Sequence, residues 1–213
     1  MELFSPLYLI LDSGLLFLES RAVFLQRFGG ELFDAGVTLL QYRNKVGSDR
    51  EILEDAKILR DAMPQGQCAL ILNDRPDLCQ LAGFDGVHVG QNDISADSAR
   101  RIVGHQKIVG VSTHNEEQLR AAAHLPVDYV AIGPVFSTGS KADADPVVGL
   151  EGVGLARTLT KKHLVAIGGI TLENCREVRE AGADSVAVIS GVFQSPTGER
   201  PAKVARDFLV RFR

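Results

Sequence analysis

The sequence predicts an α/β protein of a single domain, a (β/α)8 TIM barrel spanning residues 1–213. Three observations predict it. Short apolar, β-branched runs recur eight times along the chain, segments with helical spacing separate most of them, and the unusual polar residues cluster where runs end. At 213 residues the chain is long enough for such a barrel, which typically takes about 250 residues and can be built from about 200. An open doubly wound sheet is the alternative. It is disfavoured because no Gly-x-Gly-x-x-Gly follows the first run.

The runs are, in order, Leu7–Leu11, Thr38–Arg43, Ala69–Leu72, Gly86–Val89, Lys107–Val111, Tyr129–Gly133, Leu164–Gly168 and Ser185–Ile189. They are short and bounded by Gly, Asp and Asn, as strands buried on both faces should be. Ile52, Ala56, Leu59 and Ala62 form one helical stripe, and Leu172, Cys175, Val178 and Ala181 another. Ser95 is placed to cap a short helix, Thr171 to cap a later one, and Gly182 to end it. No linker divides the chain. Its longest stretch without periodicity runs from Phe136 to Gly149, after the sixth run, and a loop of that length is often functional.

Composition narrows the function. With 45% hydrophobic and 23% charged residues the chain has the make-up of a soluble globular protein. A net charge of −4 with no long basic run argues against a nucleic-acid surface. Asp12 and Ser13 interrupt the N-terminal apolar stretch, and no basic segment precedes it, so neither a signal peptide nor a membrane span is expected. The expected setting is cytoplasmic. Cys68, Cys79 and Cys175 show no metal-ligand spacing, and Cys68 and Cys79 read as small apolar residues.

In a barrel the strand C-terminal ends and the loops after them form the active face. In Gln41-Tyr42-Arg43-Asn44-Lys45 the alternation of strand side chains puts Gln41, Arg43 and Lys45 on one face. Two cations and an amide there suit a phosphate or diphosphate, although a pair of surface charges would look the same. Asn73 and Asp74 end the third run, and Gln91 and Asp93 follow the fourth. Either Asp alone reads equally well as turn chemistry. Two at neighbouring strand ends, beside cations, suit Mg2+, which takes one or two protein carboxylates together with phosphate oxygens and water. His88 shares a face with Gly86 and Gly90 and reads as a hydrogen-bonded interior residue rather than a base. Ser112 reads as a hydrogen-bond donor, since no triad order or nucleophile elbow is present. Thr138, Gly139, Ser140 and Lys141 form a small-hydroxyl loop ending in a cation, either a phosphate cradle or a solvated connector. Gly168 and Gly169 after the seventh run, and Ile189-Ser190 after the eighth, sit where barrels of this kind grip phosphate.

The ordered set Gln41–Lys45, Leu72–Arg75, Gly86–Asp93, Gly110–His114, Ile132–Lys141, Ala166–Ile170 and Val188–Gly191 strongly resembles thiamine-phosphate synthase. The resemblance runs from the second strand to the eighth; each motif alone is weak and the ordered series is specific. It implies a transferase of thiamine biosynthesis with two phosphorylated small-molecule substrates. A hydroxymethylpyrimidine diphosphate and a thiazole phosphate would be joined with release of pyrophosphate, by a dissociative, Mg2+-dependent route. Residue by residue, it implies that Gln41, Tyr42, Arg43, Asn44, Lys45 and Asn73 hold the pyrimidine diphosphate and that Asp74 and Asp93 bind Mg2+. Ser112 and Lys141 would contact the pyrimidine substrate and, with Arg43, serve catalysis. Thr138, Gly139, Ser140, Gly168, Gly169, Ile189 and Ser190 would hold the thiazole phosphate. Ser140 stands where the family pattern often has Thr and keeps the hydroxyl. A thiazole tautomerase, or a barrel that only binds phosphorylated ligands, is the competing assignment; the second carboxylate, Asp93, favours the synthase.

Overall fold

All eight apolar runs form strands, and they close into one parallel barrel in chain order. The strands are β1 (Leu7–Asp12), β2 (Leu39–Arg43), β3 (Ala69–Asn73), β4 (Gly86–Val89), β5 (Ile108–Thr113), β6 (Tyr129–Ile132), β7 (His163–Ile167) and β8 (Ser185–Val188). β8 pairs back onto β1, with Leu7 opposite Val186. The computed structural model describes residues 4–15, 20–139, 145–194 and 199–212.

Alternation along each strand builds two cores. Leu7, Leu9 and Leu11 of β1 point outward into the layer beneath the helices. Tyr8 and Ile10 point inward, where they meet Leu39, Ile71, Ile108, Tyr129 and Val165. Both faces are dry, which is why the strands read as continuous apolar runs. Gly110 is required inside the barrel, because a Cβ there would lie within the ring of Tyr129.

The outer ring includes α1 (Arg21–Asp34), α2 (Asp49–Ala62), α3 (Pro76–Cys79), α4 (Ala96–Val103), α5 (Glu116–Ala123), α6 (Gly149–Leu159), α7 (Cys175–Glu180), α8 (Ser190–Phe193) and α9 (Pro201–Arg211). The expected stripe of α2 buries Ile52, Ala56 and Leu59, and its start is fixed by a capping box between Ser48 and Glu51. Ser95 caps α4 by accepting from the Ser98 amide at 3.2 Å. Thr171 does not cap α7. The Asn174 side chain accepts the Thr171 amide and donates to the Gly169 carbonyl, so a turn precedes a helix that begins only at Cys175. Gly182 ends that helix with a φ of 117°.

A device repeats three times at the base of the barrel, the end opposite the strand C-termini. Asp85, Asp128 and Asp184 immediately precede β4, β6 and β8. Each carboxylate accepts an amide of the preceding strand, from Leu70, Val109 and Leu164 at 2.7–2.8 Å. Each also pairs with an arginine from a covering helix: Arg60, Arg100 and Arg157 respectively. These clamps tie helix to strand where the barrel carries none of the candidate site residues.

Candidate active site

The strand ends bring two compartments together at one mouth. The polar one is a cavity of about 560 Å3 whose lining includes Arg43, Lys45, Asn73, Asp74, Gln91 and Asp93. The second is a narrower, mainly apolar cleft bordered by Pro134, Thr138, Gly168, Gly169, Ile189 and Ser190. Ser112, His114 and Asp145 line both.

The cations of β2 are placed by ion pairs. Arg43 leaves the end of β2 and pairs with Asp12 at the end of β1, its register partner. Lys45 pairs with Asp74. Asp74 follows β3 with a φ of 63°, a left-handed backbone that Asp tolerates better than most residues, and its amide is held by the His88 carbonyl at 2.8 Å. Asp93 is turned back toward the mouth because its carboxylate accepts the Gly90 amide at 2.8 Å.

The two carboxylates are hydrogen-bonded to each other, and they titrate apart. Burial and the adjacent Asp93 raise the Asp74 carboxyl above its ordinary range, against the pull of Lys45. Burial also works to raise Asp93, but bonds from Asp74 and the Gly90 amide, with the charge of Lys45, leave it lowered. Burial and mutual repulsion thus separate the titration of the two facing carboxyls. Such a pair is an unstable arrangement for anions alone and a suitable one for a divalent cation. Among the described residues no group of three or more His, Cys, Asp or Glu side chains converges. Two carboxylates fit Mg2+, whose remaining positions go to water and phosphate oxygens.

The second cleft is shaped by glycine. Gly168 and Gly169 have φ of 103° and 63°. A Cβ on the first would meet Pro134 at 2.6 Å, and on the second the Ser137 carbonyl at 2.6 Å. The strand-seven loop therefore packs directly on the strand-six loop, which is held by Phe136 donating to the Gly168 carbonyl at 3.0 Å. Ser190 opens α8 at the far end.

Not every residue singled out from the sequence reaches the mouth. Gln41 points into the barrel and donates to Tyr8 at 2.8 Å. Tyr42 points the other way, as strand alternation demands; its fully buried ring lies under the helices and its hydroxyl donates to Asp55. Asn44 braces the following turn by accepting from the Val46 and Gly47 amides at 3.2 and 2.7 Å. Gly139 does not border the cleft. Ser140 and Lys141, with the middle of the 136–149 loop, lie outside the described residues. The structure adds three residues that the sequence reading passed over: Asp12, His114 and Asp145. Asp12 carries the signature that revealed Asp74, an acid just past an apolar run. His114 sits beyond β5, its Nδ1 2.6 Å from the Gly133 carbonyl and 3.4 Å from Asp145.

Comparison with known proteins identifies the family. A family model described as thiamine monophosphate synthase matches residues 7–192. The chain belongs to the thiamine monophosphate synthase family. A thiamine-phosphate synthase of Koribacter versatilis is 55% identical over 190 residues, 89% of this chain and 90% of that protein. One from Agrobacterium fabrum is 44% identical over 75% of each chain. The solved thiamine phosphate pyrophosphorylase of Pyrococcus furiosus superposes with a TM-score of 0.82 at 30% identity, covering 97% of this chain and 94% of that one. The family assignment and the barrel expected from the sequence are both met, and the chain is an enzyme of this family. Among the described residues no helix is long and apolar enough to cross a membrane.

Proposed function

We propose that this enzyme, in the cytoplasm, joins 4-amino-2-methyl-5-hydroxymethylpyrimidine diphosphate to a thiazole phosphate, releasing pyrophosphate and forming thiamine phosphate. The observation that carries this reading is the seam between the two compartments. A polar cavity with two cations and a carboxylate pair opens directly onto a glycine-walled cleft, and Ser112 borders both.

The methylene–oxygen bond of the diphosphate breaks and its electron pair leaves with pyrophosphate. The thiazole nitrogen lone pair then bonds to the methylene carbon, so no proton has to move and no covalent nucleophile is needed. Arg43 and Lys45 bind the diphosphate and neutralise charge as it develops on the leaving group; Lys141 joins them on the strength of the family resemblance. Asp74 and Asp93 would hold Mg2+, which supplies further charge neutralisation at the phosphate oxygens. Lys45 is paired with Asp74 and would turn from that carboxylate to a phosphate oxygen. Asn73 and Ser112 position the pyrimidine. Thr138, the Gly168-Gly169 backbone and Ser190 receive the thiazole phosphate, and Ser140 would join them. Holding both substrates across one seam keeps the nucleophile beside the short-lived cation.

Mixing both substrates with the enzyme and Mg2+ tests this. Thiamine phosphate and pyrophosphate are expected in equal amounts, with loss of both in excess chelator and recovery on adding Mg2+. No product from this pair would refute the proposal.

A further inference from the structure

The barrel interior holds a chain of polar groups that the condensation does not account for. Gln41 Nε2 lies 2.8 Å from Tyr8 Oη, and Tyr8 Oη 2.8 Å from Tyr129 Oη. Tyr129 Oη lies 2.8 Å from His88 Nδ1, and His88 Nε2 2.8 Å from Ser112 Oγ. Five residues from β1, β2, β4, β5 and β6 thus form a continuous line from the buried interior to the seam of the mouth. Both phenols are fully buried, and burial pushes both of their pKa values up, so each keeps its proton and each proton needs an acceptor.

The line can be satisfied throughout only if every bond runs the same way, and the Gln41 amide sets the direction. Its Nε2 donates to Tyr8. Tyr8 must then donate to Tyr129, and Tyr129 to His88 Nδ1. That leaves His88 with its proton on Nε2, donating to Ser112 Oγ. The Ser112 hydroxyl proton is then not used within the line. A carbonyl in place of the Gln41 amide nitrogen would reverse every bond and make Ser112 a donor to His88 instead.

We infer that Gln41, Tyr8, Tyr129 and His88 act as positioning residues which fix the His88 tautomer and present Ser112 as a hydrogen-bond donor to an acceptor atom of the pyrimidine substrate. This rests on the proposed placing of Ser112 against that substrate. Fixing the donor beforehand removes a reorientation that would otherwise accompany the reaction.

Imidazole 15N spectra test the inference without any substrate, with the His88 signal assigned by its loss in His88→Gln. The wild-type ring is expected to be neutral with its proton on Nε2. Gln41→Glu places an acceptor opposite Tyr8 and is expected to move the proton to Nδ1. Tyr8→Phe cuts the line, so adding Gln41→Glu to it should leave the tautomer where Tyr8→Phe alone puts it. A purely structural role for these hydroxyls would not produce this dependence. A wild-type proton on Nδ1, no response to Gln41→Glu, or an equal response in the Tyr8→Phe background would each overturn the inference. Tyr129→Phe, which keeps the ring against Gly110, should lower turnover about tenfold. Expected tautomers with unchanged turnover would support the line and overturn the placing of Ser112 at the pyrimidine.

Discussion

Replacing Arg100 by Ala should cost stability and leave catalysis intact. Arg100 is 8% exposed. Its guanidinium donates to the carbonyls of Pro126 and Gly104 at 2.9 Å and of Lys107 at 2.5 Å, and to Asp128 at 2.5 Å. A hydrogen bond involving a charged group is worth about 1.5–3 kcal/mol, and bonds made by one group do not add fully. Asp128 keeps its bond from the Val109 amide and its side chain is 38% exposed, so the stranded carboxylate regains water and the ion pair itself is discounted to about 1 kcal/mol. The net loss is then about 3 kcal/mol, or roughly 6–12 °C in Tm for a chain of this size. Arg60 occupies the equivalent clamp but makes fewer bonds: Nη2 reaches Asp85 at 2.5 Å and the guanidinium lies over the Phe84 ring, while the buried Nε and Nη1 have no hydrogen-bond partner among the described residues. Arg60→Met removes one ion pair and two unpaired donors and leaves Asp85 its bond from the Leu70 amide, so its loss of stability should be smaller than that of Arg100→Ala. Thermal denaturation of both variants, with kcat and KM measured well below Tm, is the assay. Equal losses at the two clamps, or a fall in kcat/KM for Arg100→Ala at a temperature where it is fully folded, would refute the reasoning.

Four further outcomes are expected. Asp93→Asn should lower turnover by at least about a hundredfold and abolish the response to added Mg2+, since one of two metal carboxylates is lost; full activity in excess chelator would exclude a metal. Because the Asp74 carboxyl is raised above its ordinary 3.8, it contributes stability that is fully present below its unfolded pKa and lost as pH rises through its folded value, so adding Mg2+ at weakly acidic pH should release a proton, which calorimetry in buffers of different ionisation heat would detect. Arg43→Ala and Lys45→Ala should each raise KM for the pyrimidine diphosphate about 10–100-fold with little change for the thiazole phosphate, and the opposite pattern would move them out of the diphosphate site. Tyr42→Phe should cost about 1.5 kcal/mol in urea denaturation, through the lost bond to Asp55, with KM unchanged for both substrates.

The strands were legible because burial on both faces leaves a run of apolar residues that few other structures produce. The place of Asp74 was legible for a related reason: an acid immediately past such a run lies at a strand end. Asp12 bears the same mark after Leu7–Leu11, yet only the pairing of β1 with β2 shows that it meets Arg43. The placement of Tyr42 was legible too, since alternation already separates it from Gln41 and Arg43; the family resemblance had grouped all three. The helix boundary at Cys175 was not, because it depends on where the Asn174 side chain turns. The interior line lay further out of reach. Tyr8 and Tyr129 are 121 residues apart, and only barrel closure brings their hydroxyls together.

The charges at the mouth place a constraint on how the diphosphate arrives. Arg43 and Lys45 look from the sequence like a ready-made anion site. In the structure each is already paired, with Asp12 and Asp74, and Asp93 adds a third carboxylate. Two cations thus face Asp12, Asp74 and Asp93, with Asp145 on the same lining, so the mouth carries no excess of positive charge. Such a site attracts a diphosphate weakly. It would become strongly attractive, on the proposed reading, only when a divalent cation held by Asp74 and Asp93 frees Lys45 from Asp74. On the proposed reading, metal and diphosphate therefore depend on each other for binding, and the cations reach full strength only with the leaving group in place. That arrangement also suits a dissociative reaction. The positive charge is collected on the diphosphate side of the seam, while the apolar cleft beyond Ser112 has no Lys or Arg among the described residues that line it.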